Sequence, residues 1–499
     1  MPASHLSRRE LLAGASVGAA ALLLESERTQ AQPAADRPVV FTHTSVITVD
    51  AVRHDVALAV QGGRIAAIGP TDDVLPRFPQ AEVYDGRGKA LLPGLINCHA
   101  HLGATIARGF NEDYGFPNSY KLPVQPGSLM SAEEHTLMAV VGALEAIKTG
   151  STTVTENVAG TASTAAALAK TGLRWVFAES ATDREGGSPM SPEILARGEA
   201  PRFSPKMRDD GLARIADLHS AWHGKENGRI TVFPAAGLAE NSSPELLHAV
   251  RAFAEKHDLG YTIHLSQSRA EVAYMRRHHG VSPVEFLARH DFLSPRLFAA
   301  HCRYVDTADI ALLAKTGTMV THQAGMAANR GAPTPIPALR AAGVPIAYGT
   351  DNNTTDMFSV LRTSMLVERI QRGDDAIPGM NPQPEDVLED ATLGSARAVR
   401  QVPAIGSLEV GKKADILVLD TQRVHLVPAV RILSAWIHNG QPNDIETVMI
   451  DGRFVMRDRK ILTMDEAAII ADADRVGRRV WAKVQESGPI AVPGRPRKR

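Results

Sequence analysis

Four short apolar runs, far apart in the chain, each stop at a side chain able to hold a metal. The first is Ala90-Leu91-Leu92-Pro93-Gly94-Leu95-Ile96-Asn97-Cys98, which leads into His99-Ala100-His101. Successive strand residues face opposite ways, so imidazoles at i and i+2 project together and can grip one cation from one side. Tyr261-Thr262-Ile263 ends at His264, and Leu297-Phe298-Ala299-Ala300 ends at His301. Val344 to Thr350 ends at Asp351. In a parallel barrel the active site forms where strands end, with groups drawn from several strands. Four histidines and one aspartate then converge, a set suited to zinc and tolerated by iron, cobalt and manganese.

The spacing between these runs supports that architecture. Candidate strands end near His101, Thr155, Ser180, Ala235, Leu265, Cys302, His322 and Asp351, with helical stretches such as Ala132 to Thr149 and Ala162 to Thr171 between them. Alternation of this kind predicts a parallel sheet, here a (β/α)8 TIM barrel over residues 91–402. Short β-type runs divided by turn signals fill residues 38–90, including Val56 to Val60 and Ile65 to Ile68 around Gly62-Gly63. The same texture returns over 403–465, so the two ends are expected to build one small flanking β-sandwich domain. A C-terminal helix and a basic tail account for 466–499.

Residues 1–37 read as a targeting segment and tether. Arg8-Arg9 precede an apolar stretch from Leu11 to Leu24 that is too short to span a bilayer, and Thr29-Gln30-Ala31 offers a cleavage site. The pattern resembles a twin-arginine signal, an address and not an anchor. It implies the twin-arginine export machinery as a partner, a periplasmic or secreted location, and no stable membrane anchor. With 54 basic and 55 acidic residues the chain carries a formal net charge of −1, which gives no field for nucleic acid or anionic lipid. A small-molecule substrate is the better expectation. Cys98 and Cys302 are the two cysteines, each beside a proposed ligand; no disulfide framework follows, and both thiols are expected to face the helical layer.

The runs also carry a family resemblance. Pro93-Gly94-Leu95-Ile96-Asn97-Cys98-His99-Ala100-His101-Leu102 with Arg108-Gly109, His264-Leu265, Ala300-His301-Cys302 and Gly349-Thr350-Asp351 are similar to motifs of the amidohydrolase superfamily. They lie near the branch of triazine hydrolases and the adenosylhomocysteine and cytosine deaminases. Gly406 to Asp415 resembles the C-terminal signature. The resemblance implies one divalent metal on His99, His101, His264 and His301, with Asp351 as a further ligand that takes the proton of the attacking water. The family's habit also implies a homo-oligomer. Two-metal subfamilies place a carboxylated lysine at the end of strand four; Arg229 to Gly237 holds none. His322 closes the seventh run, and either orients water or substrate, as the resemblance implies, or is structural.

Two departures redirect the chemistry. The deaminase branch has a glutamate three residues after the fifth-strand histidine, where this chain has Gln267, and a histidine after strand four, where this chain reads Pro234-Ala235-Ala236-Gly237. Glutamine hydrogen-bonds but cannot shuttle a proton. The expected reaction is therefore hydrolysis of an amide, urea or carbamate C–N bond, with Asp351 as base and then acid and Gln267 holding the substrate. Deamination or dechlorination of an N-heterocycle is the alternative, and an exported non-catalytic binding protein the third reading. Glu156, Asn157, Glu179 and Arg184, near strand ends, either line the pocket or are solvated loop residues.

Overall fold

A computed structural model of the chain describes residues 37–114, 122–186, 198–352, 354–373 and 379–490. The segment read from sequence as an export signal and the basic tail from Arg495 lie outside the described residues, as do residues 187–197.

The apolar runs of both ends form one nine-stranded sheet. Its strands are β1 (Val39–Ile47), β2 (Val52–Gln61), β3 (Arg64–Pro70), β4 (Glu82–Asp85) and β5 (Lys89–Pro93), then, after the barrel, β14 (Ile416–Asp420), β15 (Ile445–Ile450), β16 (Arg453–Arg457) and β17 (Lys460–Ile461). Gly62 and Gly63 both adopt positive φ, as a two-residue hairpin turn between β2 and β3 requires. The ends meet where β5 pairs antiparallel with β14, Leu91 against Val418 and Leu92 against Leu417. Phe41, Leu58, Leu91, Val418 and Met449 bury their side chains in one cluster there.

Between them lie eight parallel strands joined in chain order: β6 (Leu95–Ala100), β7 (Ser151–Val158), β8 (Arg174–Ala181), β9 (Ile230–Leu238), β10 (Tyr261–Leu265), β11 (Leu297–His301), β12 (Met319–His322) and β13 (Ile346–Tyr348). The sheet curls back on itself: Thr350 and Asp351 donate their N–H groups to the His99 carbonyl at 2.9 Å, and Ala100 bridges Asp351. This is the expected (β/α)8 barrel. Strands β7 and β9 run about three residues past the predicted ends because their neighbours continue to supply partners. β13 stops earlier, leaving Asp351 in the turn beyond it.

Helix α1 (Ala132–Lys148) starts at a capping box in which Ser131 and Glu134 satisfy each other's backbone N–H. Helix α2 (Ala165–Lys170) is shorter than predicted, its first turn being the 3₁₀ segment Thr161–Ser163. Helix α3 (Arg269–His279) follows β10, and α4 (Glu466–Glu486) buries Val476, Val480 and Val484. Among the described residues no helix is long and apolar enough to cross a membrane.

Barrel and flanking sheet are tied by one buried ion pair. Arg174, at the start of β8, makes a two-pronged bond to Asp415 of the C-terminal signature at 3.0 and 3.1 Å. Asp415 also accepts the Asp451 N–H at 2.8 Å. A charge so enclosed requires its partner, since stranding either one costs about 3–5 kcal/mol.

Candidate metal centre

Main-chain stitching at the barrel's seam positions the first three groups. The Asn97 side-chain oxygen accepts the N–H of His99 and of Thr350, each at 3.2 Å, and its amide nitrogen donates to Thr350 Oγ1 at 2.9 Å. β6 and the turn after β13 are thereby locked in register. Gly349 is required at that crossing, since a Cβ there would fall 2.8 Å from both the Cβ and the N of His99.

The other two imidazoles are oriented from behind. His264 Nδ1 meets the Gly237 carbonyl at 2.9 Å, so Nδ1 carries the proton and the Nε2 lone pair faces the centre. The N–H of His301 donates to Gln323 Oε1 at 3.0 Å, and its carbonyl accepts from Thr334 Oγ1 at 2.7 Å. Ser266, His301, Cys302 and Asp351 all adopt positive φ, 46°, 76°, 47° and 67°. Left-handed backbone at non-glycine residues is costly and gathers where geometry serves function. Here it clusters at the ends of strands five, six and eight.

The converging atoms form two overlapping groups, His99 with His264 and His301, and His99 with His101 and Asp351, each within 4.8 Å. His264 Nε2 lies 3.2 Å from His101 Nε2, and Asp351 Oδ1 lies 3.4 Å from His101 Nε2 and 3.9 Å from His99 Nε2. Two ligands about 2.0–2.1 Å from one ion at a tetrahedral angle stand about 3.3 Å apart, so these spacings fit a cation. Both ring nitrogens of His99, and Nδ1 of His301, are buried without a hydrogen-bond partner, an expensive arrangement that a metal would relieve at one nitrogen of each ring. Burial first, then the neighbouring imidazoles, holds His99 and His301 neutral. Burial likewise takes His101 and His264 down to about 4. Neutral imidazole is the form that binds metal.

The remaining expected residues divide. His322 ends β12 with both ring nitrogens buried and unpartnered and its pKa pushed by burial to about 3, yet it stands outside both ligand groups. Gln267 is buried beyond β10, and its N–H donates to Glu271 Oε2 at 2.7 Å. Glu271, on α3, spends its other oxygen on the Ser266 N–H at 2.8 Å, so its carboxylate backs the loop. Pro234 to Gly237, where the sequence lacks the branch's histidine, lie inside β9, and a Cβ at Gly237 would lie 2.3 Å from Thr182 Cγ2.

Glu156 accepts the Leu102 N–H at 3.0 Å, and burial raises its carboxyl to about 8. Asn157 keeps both amide atoms buried and unpartnered, and its main chain bonds the His101 ring. Glu179 is occupied by the Gly160 and Thr161 N–H groups and by Arg214, and Arg184 lies over the Tyr274 ring. Cys98 Sγ faces Ser395 O at 3.5 Å, away from the centre. Sequence reasoning passed over Arg303 and Arg330, which flank the centre. Arg303 was detectable as a charge two residues after a ligand-type histidine; Arg330 carries no such local signal.

Comparison with known proteins bears on the family and the fold. The model of the amidohydrolase family matches residues 90–455, and that of a bacterial imidazolonepropionase-like composite domain matches 57–81. A 5-methylthioadenosine/S-adenosylhomocysteine deaminase of Desulforudis audaxviator is 31% identical, over 86% of this chain and 95% of its own length. A 5'-deoxyadenosine deaminase of Methanothermobacter thermautotrophicus is 30% identical, over 87% and 97%. Among solved structures, an adenosine deaminase from Xanthomonas campestris with bound zinc superposes with a TM-score of 0.76 at 27% identity, covering 90% of this chain and 99% of that one. A triazine hydrolase from Arthrobacter aurescens shares the fold, with a TM-score of 0.78 at 22% identity, over 89% and 100%.

Proposed function

Since this chain belongs to the amidohydrolase family and is a metal-dependent hydrolase of a non-peptide C–N bond in a small molecule, we propose that the bond is that of an amide, urea or carbamate. The observation that carries the reading is the acid inventory of the centre. Asp351 is the one carboxylate in the two ligand groups, position 267 is a glutamine, and Glu271 is consumed by backbone N–H groups. Adding water to an aromatic C=N bond needs a second proton donor at the ring, whereas cleaving an amide needs one proton delivered to one leaving nitrogen.

His99, His101, His264 and His301 would hold the ion with Asp351; the nitrogen-rich set and the zinc-bound relative favour zinc. The metal, when bound, acidifies water and polarises the carbonyl. Asp351 accepts the water proton and returns it to the leaving nitrogen. Burial lifts its carboxyl above the ordinary range, against the pull of Arg330, His264 and Arg303, which strengthens it as a base. Gln267 holds the substrate carbonyl or N–H, and His322 orients water or substrate from the end of β12.

The competing deamination reading draws on the names of the relatives. One assay separates the two: zinc-loaded protein is offered aryl amides, ureas, carbamates and aminated azines. Amine release from the first three classes supports the proposal, and ammonia from the azines alone overturns it. Gln267→Glu should keep about one zinc per chain while turnover of the amide falls by about tenfold or more; an unchanged rate would remove Gln267 from the mechanism.

Arg8-Arg9 ahead of the apolar stretch supports export by the twin-arginine route to a periplasmic or secreted location. Replacing both arginines with lysine should leave the protein in the cytoplasmic fraction. Normal export of that variant would exclude this route.

A further inference from the structure

One carboxylate outside the centre gathers the chain segments that leave two of its strands. Glu145 lies in the last turn of α1, where the helix carbonyls disfavour an acid. Donors from elsewhere offset that placement. Arg108 Nη2 reaches Glu145 Oε2 at 2.8 Å, and the Thr355 N–H donates to the same oxygen at 2.9 Å. Thr354 Oγ1 donates to Oε1 at 3.2 Å. Thr355 Oγ1 stands 2.6 Å from Oε2 and 2.7 Å from the Gly142 carbonyl, so its proton is held between two acceptors of α1. An amide could not take the same place, since its –NH₂ would face donors. The Arg108 and Glu145 side chains are 45% and 25% exposed, and an ion pair so exposed adds little to stability, which leaves what the carboxylate holds as the reason for it.

The donors come from the two strands that meet at the seam. Arg108 closes the 3₁₀ segment Leu102–Ala107, which begins directly after His101 at the end of β6. Thr354 and Thr355 follow Asp351 in the connection from β13 to the helix Met357–Arg372. Glu145 thereby fastens the exit of β6 to the exit of β13. His101 and Asp351 line one small cavity, of about 10 Å³, with Arg108, Glu145, Thr354 and Thr355. That is room for about one water, so little solvent separates the carboxylate and its donors from the centre. Asp351 needs support of this kind. It sits at φ 67°, a left-handed conformation that persists only where the surroundings fix it. Its own N–H ties it to the His99 carbonyl, and Glu145 pins the residues that follow.

We propose that Glu145 is a positioning residue of the metal centre, holding the turn that carries Asp351 against the segment that leaves His101. It belongs to neither ligand group and acts through Arg108, Thr354 and Thr355. What it fixes is the stand of the Asp351 carboxylate beside His101, where Oδ1 lies 3.4 Å from Nε2. The inference rests on the reading of Asp351 as a member of the centre, and not on any one substrate class.

The test uses full-length protein loaded with cobalt(II), whose visible absorption depends on ligand geometry, and zinc-loaded protein for rates. In Glu145→Gln the cobalt bands should change in position or intensity. Its kcat on the fastest amide of the panel should fall by about 10- to 100-fold with KM little changed. Thr355→Val, which loses the hydroxyl and keeps the N–H, should lie between Glu145→Gln and wild type. Thr355→Ser restores the hydroxyl and should recover the wild-type bands. Glu145→Gln with wild-type bands and kcat would overturn the proposal even if its Tm drops, for the carboxylate would then serve stability alone. Where Glu145→Gln folds too poorly to purify, wild-type bands in Thr355→Val overturn it equally. So does a wild type that takes up no cobalt. If the bands move in both variants while wild type cleaves no amide, urea or carbamate, the proposed substrate class fails and the positioning role stands.

Discussion

Asp351→Asn is expected to lower kcat by about 10²- to 10⁴-fold, the usual worth of a positioned general acid–base, while zinc stays near one equivalent. Asparagine keeps the volume and an oxygen near His101 Nε2, where Asp351 Oδ1 now lies at 3.4 Å. It cannot take up a proton, so water is not deprotonated and the leaving nitrogen is not protonated. The four imidazoles still define the ion's position. Each decade corresponds to about 1.4 kcal/mol of barrier. Single-turnover rates on the best amide of the panel, with zinc measured on the same sample, decide the matter. A rate within tenfold of wild type with zinc retained would move the base elsewhere, and loss of zinc would make Asp351 chiefly a ligand.

Removing the metal should abolish turnover and lower Tm by roughly 5–10 °C, since an ion present at about a thousand times its Kd adds about 4 kcal/mol to the folded state. His99→Ala should reproduce both effects without a chelator, because His99 belongs to both ligand groups. The pH dependence follows from the same geometry. Protons compete with metal for imidazole, and in an unfolded chain that competition begins as pH falls through about 6.5. Burial lowers His101 and His264 to about 4 in the folded protein, so the competition starts correspondingly later. Zinc should stay bound at pH 5.5 and leave as pH falls through about 4. Dialysis across that range with metal analysis checks it; half-release near pH 6.5 would mean that the site is far more hydrated than its burial implies.

The metal-competent residues that converge at the centre were legible because their signals are local. A period-two alternation puts His99 and His101 on one face, and His264, His301 and His322 each close an apolar run, so strand periodicity alone marks them. The barrel follows from the alternation of such runs with helical stretches, and the substitution at Gln267 is read from one position. Assignments that depended on surroundings fared differently. Glu179 lay near a strand end just as His264 did, yet its carboxylate is used by the Gly160 and Thr161 N–H groups and by Arg214. The predicted ends of β7 and β9 fell short because a strand lasts as long as its neighbours offer partners, and a neighbour is not written in the strand's own sequence.

By itself, then, the sequence determined the strand order, the five metal-competent side chains and the lack of a proton-shuttling carboxylate after β10. Tertiary structure decided which of these meet and what surrounds them. Closure of β13 on β6 sets Asp351 beside His99, and the Asn97–Thr350 lock holds the register there. Arg330 is carried alongside Asn352, and the Arg174–Asp415 pair joins barrel to sheet. The reason is physical: periodicity and turn chemistry are properties of neighbouring residues. Desolvation and ligand geometry arise only when packing brings segments far apart in the chain within a few ångströms of one another.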